Sequence, residues 1–382
     1  MNYDNNNIPS PCFIVEEQLL RQNLKTIKGV AERADVEIIL ALKAFAMWKL
    51  FPIIKEYFSH TTASSLGEAR LSVDKFGSKA HLYAPVYTDS EFDELADCST
   101  HITFNSLSQF NKYYYRTQNK AISCGLRINP EVSVVATDLY NPAKAGSRLG
   151  IVAEQLPDEL PEGIEGLHFH VLCENSSFDL EKVLLAVSQK FHKQLLQVKW
   201  LNMGGGHLIT RKGYNINHLV EVLSAFKQKY PHLHIILEPG AAFVWQTGVL
   251  KATVEDIVEN HGIRTAMLDV SFACHMPDCL EMPYQPAIRG AESVEQDSVS
   301  SANVYRMGGT SCLSGDFVGS WAFDSPLSVG GTIIFEDMIH YTTVKTTMFN
   351  GVSHPSMGMI KENGEFVLLK QFTHHDYFAR MC

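Results

Sequence analysis

Residues 36–43, Val-Glu-Ile-Ile-Leu-Ala-Leu-Lys, form a short apolar run that ends in a lysine. An apolar run of this length that contains β-branched residues predicts a buried β-strand. The segments on either side of it, residues 18–33 and 51–58, have the apolar spacing of amphipathic helices. This one stretch therefore predicts a strand that lies between two helices.

Seven further strand-like runs follow and alternate with helical segments. The alternation predicts parallel strands joined by crossover helices. Eight strand–helix units over roughly 240 residues match the size of a (β/α)8 barrel; a doubly wound sheet is the alternative, but it does not require this count. The runs lie at residues 60–64, 81–86, 101–105, 122–129, 166–171, 199–203 and 234–237.

The pattern changes after Gly240, where strand-like runs follow one another with few helical segments between them. Such a succession predicts an antiparallel β domain, a barrel or a sandwich. We therefore expect an α/β protein with an N-terminal (β/α)8 TIM-like barrel, residues 35–245, and a C-terminal antiparallel β domain, residues 246–382. Residues 1–34 are expected to join the β domain, because residues 11–15 have the pattern of a further strand.

The composition is that of an ordinary globular protein. Hydrophobic residues make up 45% and charged residues 19% of the 382 residues, and the net charge is −10. No cluster of lysine and arginine predicts a nucleic-acid partner, and no segment predicts a signal peptide or a membrane span. The eight cysteines are scattered without a CxxC motif, which indicates neither zinc nor disulfides and favours reduced thiols in a cytoplasmic protein.

Lys43 ends the first predicted strand, after five apolar residues. Active sites of (β/α)8 barrels lie at the carboxyl ends of the strands. An amine in apolar surroundings has a lowered pKa, and the neutral amine can attack an aldehyde. A lysine whose head group only reaches solvent is the alternative.

Two more segments are expected at the same end of the barrel. Gly204, Gly205 and Gly206 follow the seventh strand, and consecutive glycines let backbone N–H groups approach an anion closely. Glu238 follows the eighth strand in the sequence Glu-Pro-Gly, where its carboxylate would point into the same mouth. The alternatives are a flexible glycine loop and a carboxylate in an ordinary turn.

His168 and His170 alternate with apolar residues, so both are expected on one face of the sixth strand. His170 lies nearer the strand end and is placed to stack on a flat ring. Paired histidines also suggest a metal site, but no third ligand stands out and no metal is predicted. An ordinary hydrogen-bonded histidine inside the barrel is the alternative.

Cys312 lies between glycines in residues 308–316, Gly-Gly-Thr-Ser-Cys-Leu-Ser-Gly-Asp. The glycines predict a loop that approaches a ligand, where a thiol can donate a proton to a carbanion. A small buried cysteine is the alternative. Tyr341, at the start of a predicted strand, is either a hydroxyl donor or a packed aromatic residue.

Taken in this order, these residues resemble the fold-type III decarboxylases that depend on pyridoxal 5'-phosphate (PLP), the group of ornithine, arginine and diaminopimelate decarboxylases. Within that group the likeness is greatest to the carboxynorspermidine (carboxyspermidine) decarboxylases, and it covers essentially the whole chain. The segments that carry it are IPSPCFIVEE (8–17), HFHVLCEN (168–175), DVSFACHMPDCLEMPYQP (269–286), GGTSCLSGDFVG (308–319) and MFNGVSHP (348–355).

The resemblance implies PLP bound to Lys43 as a Schiff base, with His170 stacked on the ring and Glu238 paired with the pyridinium. It implies Cys312 as a proton donor from the neighbouring subunit of a homodimer with shared active sites. The further cofactor contacts that it implies are Ser64, Arg127, Gly204, Gly205, Gly206 and Tyr341. The substrate contacts that it implies are Glu174, Glu238, Asp278 and Asp316.

One position departs from the family pattern. Ornithine and diaminopimelate decarboxylases have an arginine after Glu-Pro-Gly that meets the phosphate, whereas Ala241 stands here. The phosphate therefore lacks a bidentate cation. We expect the triglycine N–H groups, Tyr341 and His207 to suffice. The departure speaks against diaminopimelate decarboxylase itself.

The resemblance implies decarboxylation of carboxynorspermidine, and of carboxyspermidine, in polyamine biosynthesis. Because these substrates carry further amines, their site should hold carboxylates; Glu174 and Asp278 are the expected amine partners, and Glu281 is expected to be a solvated loop acid. Four alternatives stay open. They are an ornithine-, arginine- or diaminopimelate-type decarboxylase, an amino-acid racemase, a catalytically silent PLP-binding regulatory homologue, and a metal-dependent barrel hydrolase that uses His168 and His170.

Overall fold

A computed structural model describes residues 3, 7–132, 134–135, 140–281, 284–295 and 303–382. The chain divides into two compact units. One comprises residues 22–243, and the other comprises residues 1–21 together with residues 244–382.

The first unit contains a sheet of short parallel strands. Among the described residues the sheet has nine strands in the order β2-β10-β9-β8-β7-β6-β5-β4-β3. The strands are β2 (Glu37–Ile38), β3 (Leu40–Ala41), β4 (Thr61–Ala63), β5 (Ala80–Tyr83), β6 (Ser99–Phe104), β7 (Ser123–Arg127), β8 (Ile164–His168), β9 (Trp200–Asn202) and β10 (His234–Leu237).

The first predicted strand closes this sheet into a barrel. It is observed as two short strands on either side of Ile39, with β2 paired to β10 and β3 paired to β4. The Ile39 N–H donates to Leu237 O at 3.0 Å, and the Leu40 N–H donates to His60 O at 3.2 Å. Ile39 thus bonds towards β10 and Leu40 bonds towards β4. Because β10 and β4 lie towards opposite ends of the sheet, residues 36–43 join these two ends into a barrel. The predicted barrel is confirmed.

Helices connect most of the strands, as the alternation predicted. Helix α6 begins with a capping box in which Ser176 and Asp179 satisfy each other's backbone N–H groups. The helices are α1 (Glu17–Ala34), α2 (Phe51–Lys55), α3 (Leu66–Leu71), α4 (Phe92–Asp97), α5 (Leu107–Tyr113), α6 (Ser177–Lys190), α7 (His192–Leu195), α8 (Ile216–Lys229) and α9 (Ala241–Val244).

The division of the chain differs from the predicted boundaries in helix α1. Residues 22–34 belong with the barrel rather than with the β domain. Asn23 donates to Phe243 O at 3.4 Å, and Arg33 donates to Asn217 Oδ1 at 2.7 Å. These contacts tie the helix to barrel elements, whereas its sequence shows only that one of its faces is apolar.

Trp200 fills one layer of the barrel interior. A Cβ atom at Gly125 on β7 or at Gly166 on β8 would collide with the indole ring. The two glycines therefore leave the space that the tryptophan occupies. Because side chains two positions apart share one strand face, the last residues of β7, β8 and β9 point to the same side as this layer.

The second unit is built on a mixed sheet in the order β13-β15-β14-β12-β11-β1-β17-β18, with β16 paired to β11. The strands are β1 (Cys12–Glu16), β11 (Gly248–Asn260), β12 (Ile263–Leu268), β13 (Ala291–Val294), β14 (Val304–Gly308), β15 (Phe317–Phe323), β16 (Thr332–Glu336), β17 (Ser356–Ile360) and β18 (Phe366–Lys370). The helices are α10 (Phe272–His275), α11 (Asp278–Glu281), α12 (Tyr341–Val344) and α13 (His374–Met381).

Two details of this unit differ from the prediction. Most strand pairs are antiparallel, but β1 pairs with β17 and β12 pairs with β14 in parallel. Tyr341 begins helix α12 rather than a strand. The threonines after it predicted a strand, but Thr343 Oγ1 donates to Ile339 O at 3.1 Å, a bond that lets a β-branched residue fit a helix.

Candidate active site

Polar residues lie at the carboxyl ends of five barrel strands. Arg127, His168 and Asn202 are the last residues of β7, β8 and β9, Glu238 directly follows β10, and Lys43 stands two residues after β3. In a parallel barrel these ends share one rim, where the loops build binding sites. The structure therefore brings Lys43, Arg127 and Glu238 to one place, as predicted.

Glu238 is 8% exposed and is held by two donors. Asn202 Nδ2 donates to its Oε1 at 2.6 Å, and the Thr62 hydroxyl is the second partner. His168 Nε2 lies 3.7 Å from Glu238 Oε2, too far for a hydrogen bond. Burial raises the pKa of Glu238, while Asn202 and the nearby Lys43 ammonium oppose that shift.

Burial and the neighbouring charges shift the pKa of Lys43 in opposite directions. Burial lowers the pKa of Lys43, and the Glu238 and Glu68 carboxylates raise it less than burial lowers it. Glu68 is anchored at the start of α3, where its Oε2 accepts the Ser64 N–H at 2.7 Å. The net shift favours the neutral, nucleophilic amine.

His170 lies two residues beyond the end of β8 and is fixed from two sides. Its Nδ1 accepts the Gly205 N–H at 2.7 Å, and its carbonyl oxygen accepts from Arg127 at 2.9 Å. The Arg127 guanidinium in turn lies 4.6 Å from the centre of the Tyr83 ring. The expectation that His168 and His170 occupy the same strand is wrong, because β8 ends at His168.

The three glycines are required by close packing. Gly204 and Gly206 have φ of 68° and 88°, which L side chains rarely adopt. A Cβ at Gly204 would lie 2.5 Å from Phe169 O, and one at Gly205 would lie 2.5 Å from Glu238 O. Any side chain here would push the turn away from the neighbouring strands.

Two of the three glycine N–H groups are already used by the protein. Gly204 donates to Asn202 Oδ1 at 2.9 Å, and Gly205 donates to His170 Nδ1. Within the described part of the chain, only the Gly206 N–H of these three is left without a protein acceptor. The expectation that all three cradle a phosphate is therefore corrected to one free donor, because side chains compete for the other two.

His207 is 1% exposed, and burial lowers its pKa to about 4. The imidazole is therefore neutral near pH 7 and cannot replace the charge of the arginine that the family pattern has at Ala241. A neutral imidazole can still donate one N–H, so the contribution of His207 as a phosphate partner stays a prediction.

The site has features that fit PLP. Arg127 Nε and both ring nitrogens of His168 are buried and have no hydrogen-bond partner among the residues that the structure describes; such groups are rarely left unsatisfied in a native protein. They lie beside a lysine with a lowered pKa and a carboxylate. A flat, polar, anionic ligand with an aldehyde matches this set of donors and the amine.

Two other predicted residues of the first unit lie on surface loops. Ser64 follows β4 and is exposed; its backbone N–H donates to Glu68. Glu174 is exposed and has a left-handed backbone, with φ of 55°. That conformation is uncommon for a residue with a side chain and marks a loop shaped by its surroundings.

In the second unit Cys312 is exposed on a loop. Its N–H donates to Asn350 Oδ1 at 2.9 Å, and Asn350 has φ of 57°. The alternative of a small buried cysteine is thereby wrong, because the loop turns the thiol outward.

Asp316 is held by backbone N–H groups. It is 5% exposed; its Oδ1 accepts the Ala273 N–H at 2.9 Å and its Oδ2 accepts the Ser311 N–H at 3.0 Å. Both oxygens thus fix backbone near Cys312. The expected substrate contact of Asp316 stays a prediction, and the two bonds give it a structural role as well.

Asp278 also has a charged partner within the protein. Lys345 Nζ forms an ion pair with Asp278 Oδ1 and lies 3.3 Å from Glu281 Oε2. Glu281 was expected to be a solvated loop acid, and it is exposed but shares this lysine. A cationic substrate at Asp278 would have to compete with Lys345.

Four residues of the first unit's rim were not predicted from the sequence: Thr62, Glu68, Tyr83 and Asn202. Asn202 had a usable signal, since it stands two positions before Gly204 and shares a strand face with Trp200. Thr62 lies within β4, Tyr83 ends β5 and Glu68 lies in α3, but nothing in their local pattern separates them from ordinary polar residues.

Among the described residues, no group of three or more His, Cys, Asp or Glu side chains is arranged to hold a metal ion. In the same part of the chain, no helix is long and apolar enough to cross a membrane.

Residues 12–339 match the family model described as pyridoxal-dependent decarboxylase, C-terminal sheet domain. The chain belongs to this family of pyridoxal-dependent decarboxylases, and PLP is its expected cofactor. Because the chain belongs to this family, the family replaces the alternative of a metal-dependent barrel hydrolase.

Relatives cover nearly the whole chain. A carboxyaminopropylagmatine decarboxylase from Synechocystis sp. is 50% identical over 98% of this chain and 96% of its own length. Carboxynorspermidine/carboxyspermidine decarboxylases from Campylobacter jejuni and Herminiimonas arsenicoxydans are 40% and 34% identical, each over 98% of this chain and over 98% and 100% of their own lengths.

Solved structures agree with the fold. The crystal structure of carboxynorspermidine decarboxylase from C. jejuni complexed with norspermidine has a TM-score of 0.90 and 39% identity, covering 98% of this chain and all of that one. Diaminopimelate decarboxylase from Helicobacter pylori has a TM-score of 0.84 at 16% identity, over 99% of both chains, which shows the shared fold alone.

Proposed function

We propose that this protein uses PLP to decarboxylate carboxynorspermidine or carboxyspermidine, releasing norspermidine or spermidine in polyamine biosynthesis. The observation that carries the proposal is the convergence of Lys43, Glu238 and the glycine turn at one barrel rim. The relatives named for these substrates, at 40% and 34% identity, support the choice of substrate.

Lys43 would hold the cofactor covalently, because its lowered pKa favours the neutral amine that attacks an aldehyde. Glu238 would pair with the ring nitrogen, and His170 would lie against the ring. Arg127 would line the pocket, and Ser64 would lie at its edge. The free Gly206 N–H and the Tyr341 hydroxyl would serve the phosphate, with Gly204 and Gly205 shaping the turn.

When bound, PLP supplies an electron-accepting ring that takes the electron pair left behind as the α-carboxylate departs as CO2. Glu238 would keep the ring nitrogen protonated, which strengthens that acceptor. Cys312 would then deliver its thiol proton to Cα, a role that its exposed position and its backbone bond to Asn350 support.

Substrate recognition would rest on carboxylates, because the substrate's additional amines are cationic at neutral pH. Glu174 is an exposed acid on the loop that follows β8, and Asp278 is a partly buried acid. We assign them as amine partners, with Lys345 as the internal competitor at Asp278.

A second candidate substrate is carboxyaminopropylagmatine, for which the Synechocystis relative at 50% identity is named. It differs in the cationic end of the chain, a guanidinium in place of an ammonium. The same carboxylates can pair with either group, so the reaction and the assignments at the rim are common to both candidates.

We further propose a cytoplasmic homodimer with shared active sites, in which Cys312 of one subunit completes the site of the other. Mixing a Lys43→Ala subunit with a Cys312→Ala subunit tests this. Partial activity in the mixture, with neither variant active alone, supports a shared site; no recovery after confirmed subunit exchange contradicts it.

The substrate proposal is tested by measuring CO2 release from the PLP-loaded protein on a panel of substrates. The panel contains carboxynorspermidine, carboxyspermidine, carboxyaminopropylagmatine, diaminopimelate, ornithine and arginine. We expect the highest kcat/KM on the first two or on the third. Preference for one of the last three would overturn the proposed substrate, and PLP binding without any turnover would revive the silent regulatory homologue.

A further inference from the structure

The side-chain amide of Asn202 is bonded at both of its ends. Its Nδ2 donates to Glu238 Oε1 at 2.6 Å, and its Oδ1 accepts the Gly204 N–H at 2.9 Å. Asn202 is 3% exposed and Glu238 8% exposed, so water does not readily replace either bond. One residue thus links the carboxylate after β10 to the glycine turn after β9.

The chemistry of an amide suits this place. An asparagine side chain offers donors at one end and an acceptor at the other, and the two partners here are a carboxylate and an N–H group. Because the amide is neutral, it stabilises the Glu238 carboxylate without adding a charge beside the turn. Burial alone raises the pKa of Glu238, and the Asn202 donor opposes that shift.

The link also restricts the backbone. Glu238 N–H donates to Gly204 O at 2.8 Å, so Gly204 and Glu238 are joined both directly and through Asn202. Buried bonds that share members reinforce each other. The side chain of Glu238 and the turn that carries the free Gly206 N–H are therefore held in one arrangement.

We propose that Asn202 is a positioning residue that sets the Glu238 carboxylate and the glycine turn relative to each other before the cofactor binds. This inference rests on the cofactor placement proposed above. It assigns Asn202 no contact with substrate and no step in the reaction.

The Asn202→Asp variant separates this role from simple packing, because it keeps the size and shape of the side chain. Its second oxygen would face Glu238 Oε1, and two carboxylates this close cannot both be ionised. At acidic pH one shared proton restores a hydrogen bond between them. At alkaline pH an additional negative charge would stand beside the turn and repel the phosphate. The affinity for PLP should therefore become dependent on pH.

The measurement is the equilibrium affinity of the full-length apoprotein for PLP, followed by absorbance titration at about pH 6 and about pH 8.5. We expect Asn202→Asp to bind within a few-fold of wild type at the lower pH and more weakly, by about tenfold or more, at the higher pH. The matched control is Asn215→Asp, the same change at the start of α8, where Oδ1 accepts the His218 N–H at 3.0 Å. It should follow wild type at both pH values.

A second variant, Asn202→Ala, removes both bonds without adding a charge. We expect weaker PLP binding by about tenfold at both pH values, and its thermal unfolding reports whether the fold persists. Wild-type affinity in Asn202→Ala, or a folded Asn202→Asp with the pH dependence of wild type, overturns the inference. If wild type itself binds no PLP, the proposed cofactor placement fails instead, so the two failures are distinct.

Discussion

The Nδ1 atom of His170 accepts the Gly205 N–H at 2.7 Å. The bond requires Nδ1 to be unprotonated. Loss of hydration and the nearby Lys43 and Arg127 charges hold the pKa of His170 well below its usual range. The imidazole is therefore neutral near pH 7, and its plane is fixed by the glycine turn.

Gly205→Ala should disrupt cofactor binding. A Cβ at this position would lie 2.5 Å from Glu238 O and 3.2 Å from His170 Cε1, so the turn must move and the bond to His170 must lengthen. We expect PLP affinity to fall by about tenfold or more, measured by absorbance titration. Gly29→Ala is the control: it lies in helix α1 with open space around it and should leave PLP affinity unchanged. Normal PLP affinity in Gly205→Ala would contradict the assigned packing.

Lys43→Ala should remove the visible absorbance of the lysine-bound cofactor and lower turnover on the order of 10³-fold or more, because the attacking amine is lost. The control is Lys55→Ala, an exposed lysine that ends α2, which should keep both properties. Covalent PLP retained in Lys43→Ala would show that another amine carries it.

Lys345→Met should lower KM for the carboxylated polyamine. Lys345 pairs with Asp278 and with Glu281, so its removal frees both carboxylates for a substrate cation. Partly exposed pairs of this kind are worth roughly 0.2–1 kcal/mol, which predicts a decrease of about 1.4-fold to fivefold. The matched control is Lys361→Met, which breaks an exposed pair with Glu365 and should leave KM unchanged.

Asp278→Ala should act in the opposite direction to Lys345→Met, raising KM far more than it disturbs PLP affinity. An unchanged KM in both variants would remove Asp278 from the substrate site.

Glu37→Gln should reduce thermal stability more at about pH 5.5 than at about pH 8.5. Glu37 accepts His60 Nδ1 at 2.7 Å and His234 Nε2 at 2.7 Å. The pKa of His60 is raised by Glu37, so its contribution to stability is present below its unfolded pKa and is lost as the pH rises through the raised value. The pKa of Glu37 is lowered by the two histidines, so its contribution is lost only as the pH falls through that lowered value. The favourable window lies between them.

The readout for Glu37→Gln is Tm at the two pH values. His81 and His101 lie nearby; burial lowers the pKa of both, that of His101 to about 4, which disfavours their charged forms at pH 5.5. The control is Glu165→Gln, which loses pairing with Lys199 and Ser123 rather than with histidine. Its Tm loss should be equal at both pH values; equal losses in Glu37→Gln as well would mean that His60 is not charged at the lower pH.

Lys43 and Glu238 were predicted because each stands at the end of an apolar run, and strand ends share a rim in any parallel barrel. Arg127 was predicted from the family resemblance alone. The partners of Asp278 and Asp316 could not be predicted from the sequence. They include residues distant in the chain, Lys345 for Asp278 and Ala273 for Asp316.

By itself, the sequence determined the barrel, because the alternation of apolar runs is a local property that repeats eight times. It also determined the family, because Lys43, the glycine turn, Glu238 and Cys312 occur in a fixed order. Only the tertiary structure decided that residues 36–43 split to close the sheet, that Tyr341 begins a helix, and that two glycine N–H groups are already bonded. The split of residues 36–43 and the Gly205 bond depend on partners far apart in the chain, Leu237 and His170. The Tyr341 helix and the Gly204 bond depend on side chains that bond to nearby backbone. Neither kind of bond appears in the periodicity of apolar residues, so only the tertiary structure shows them.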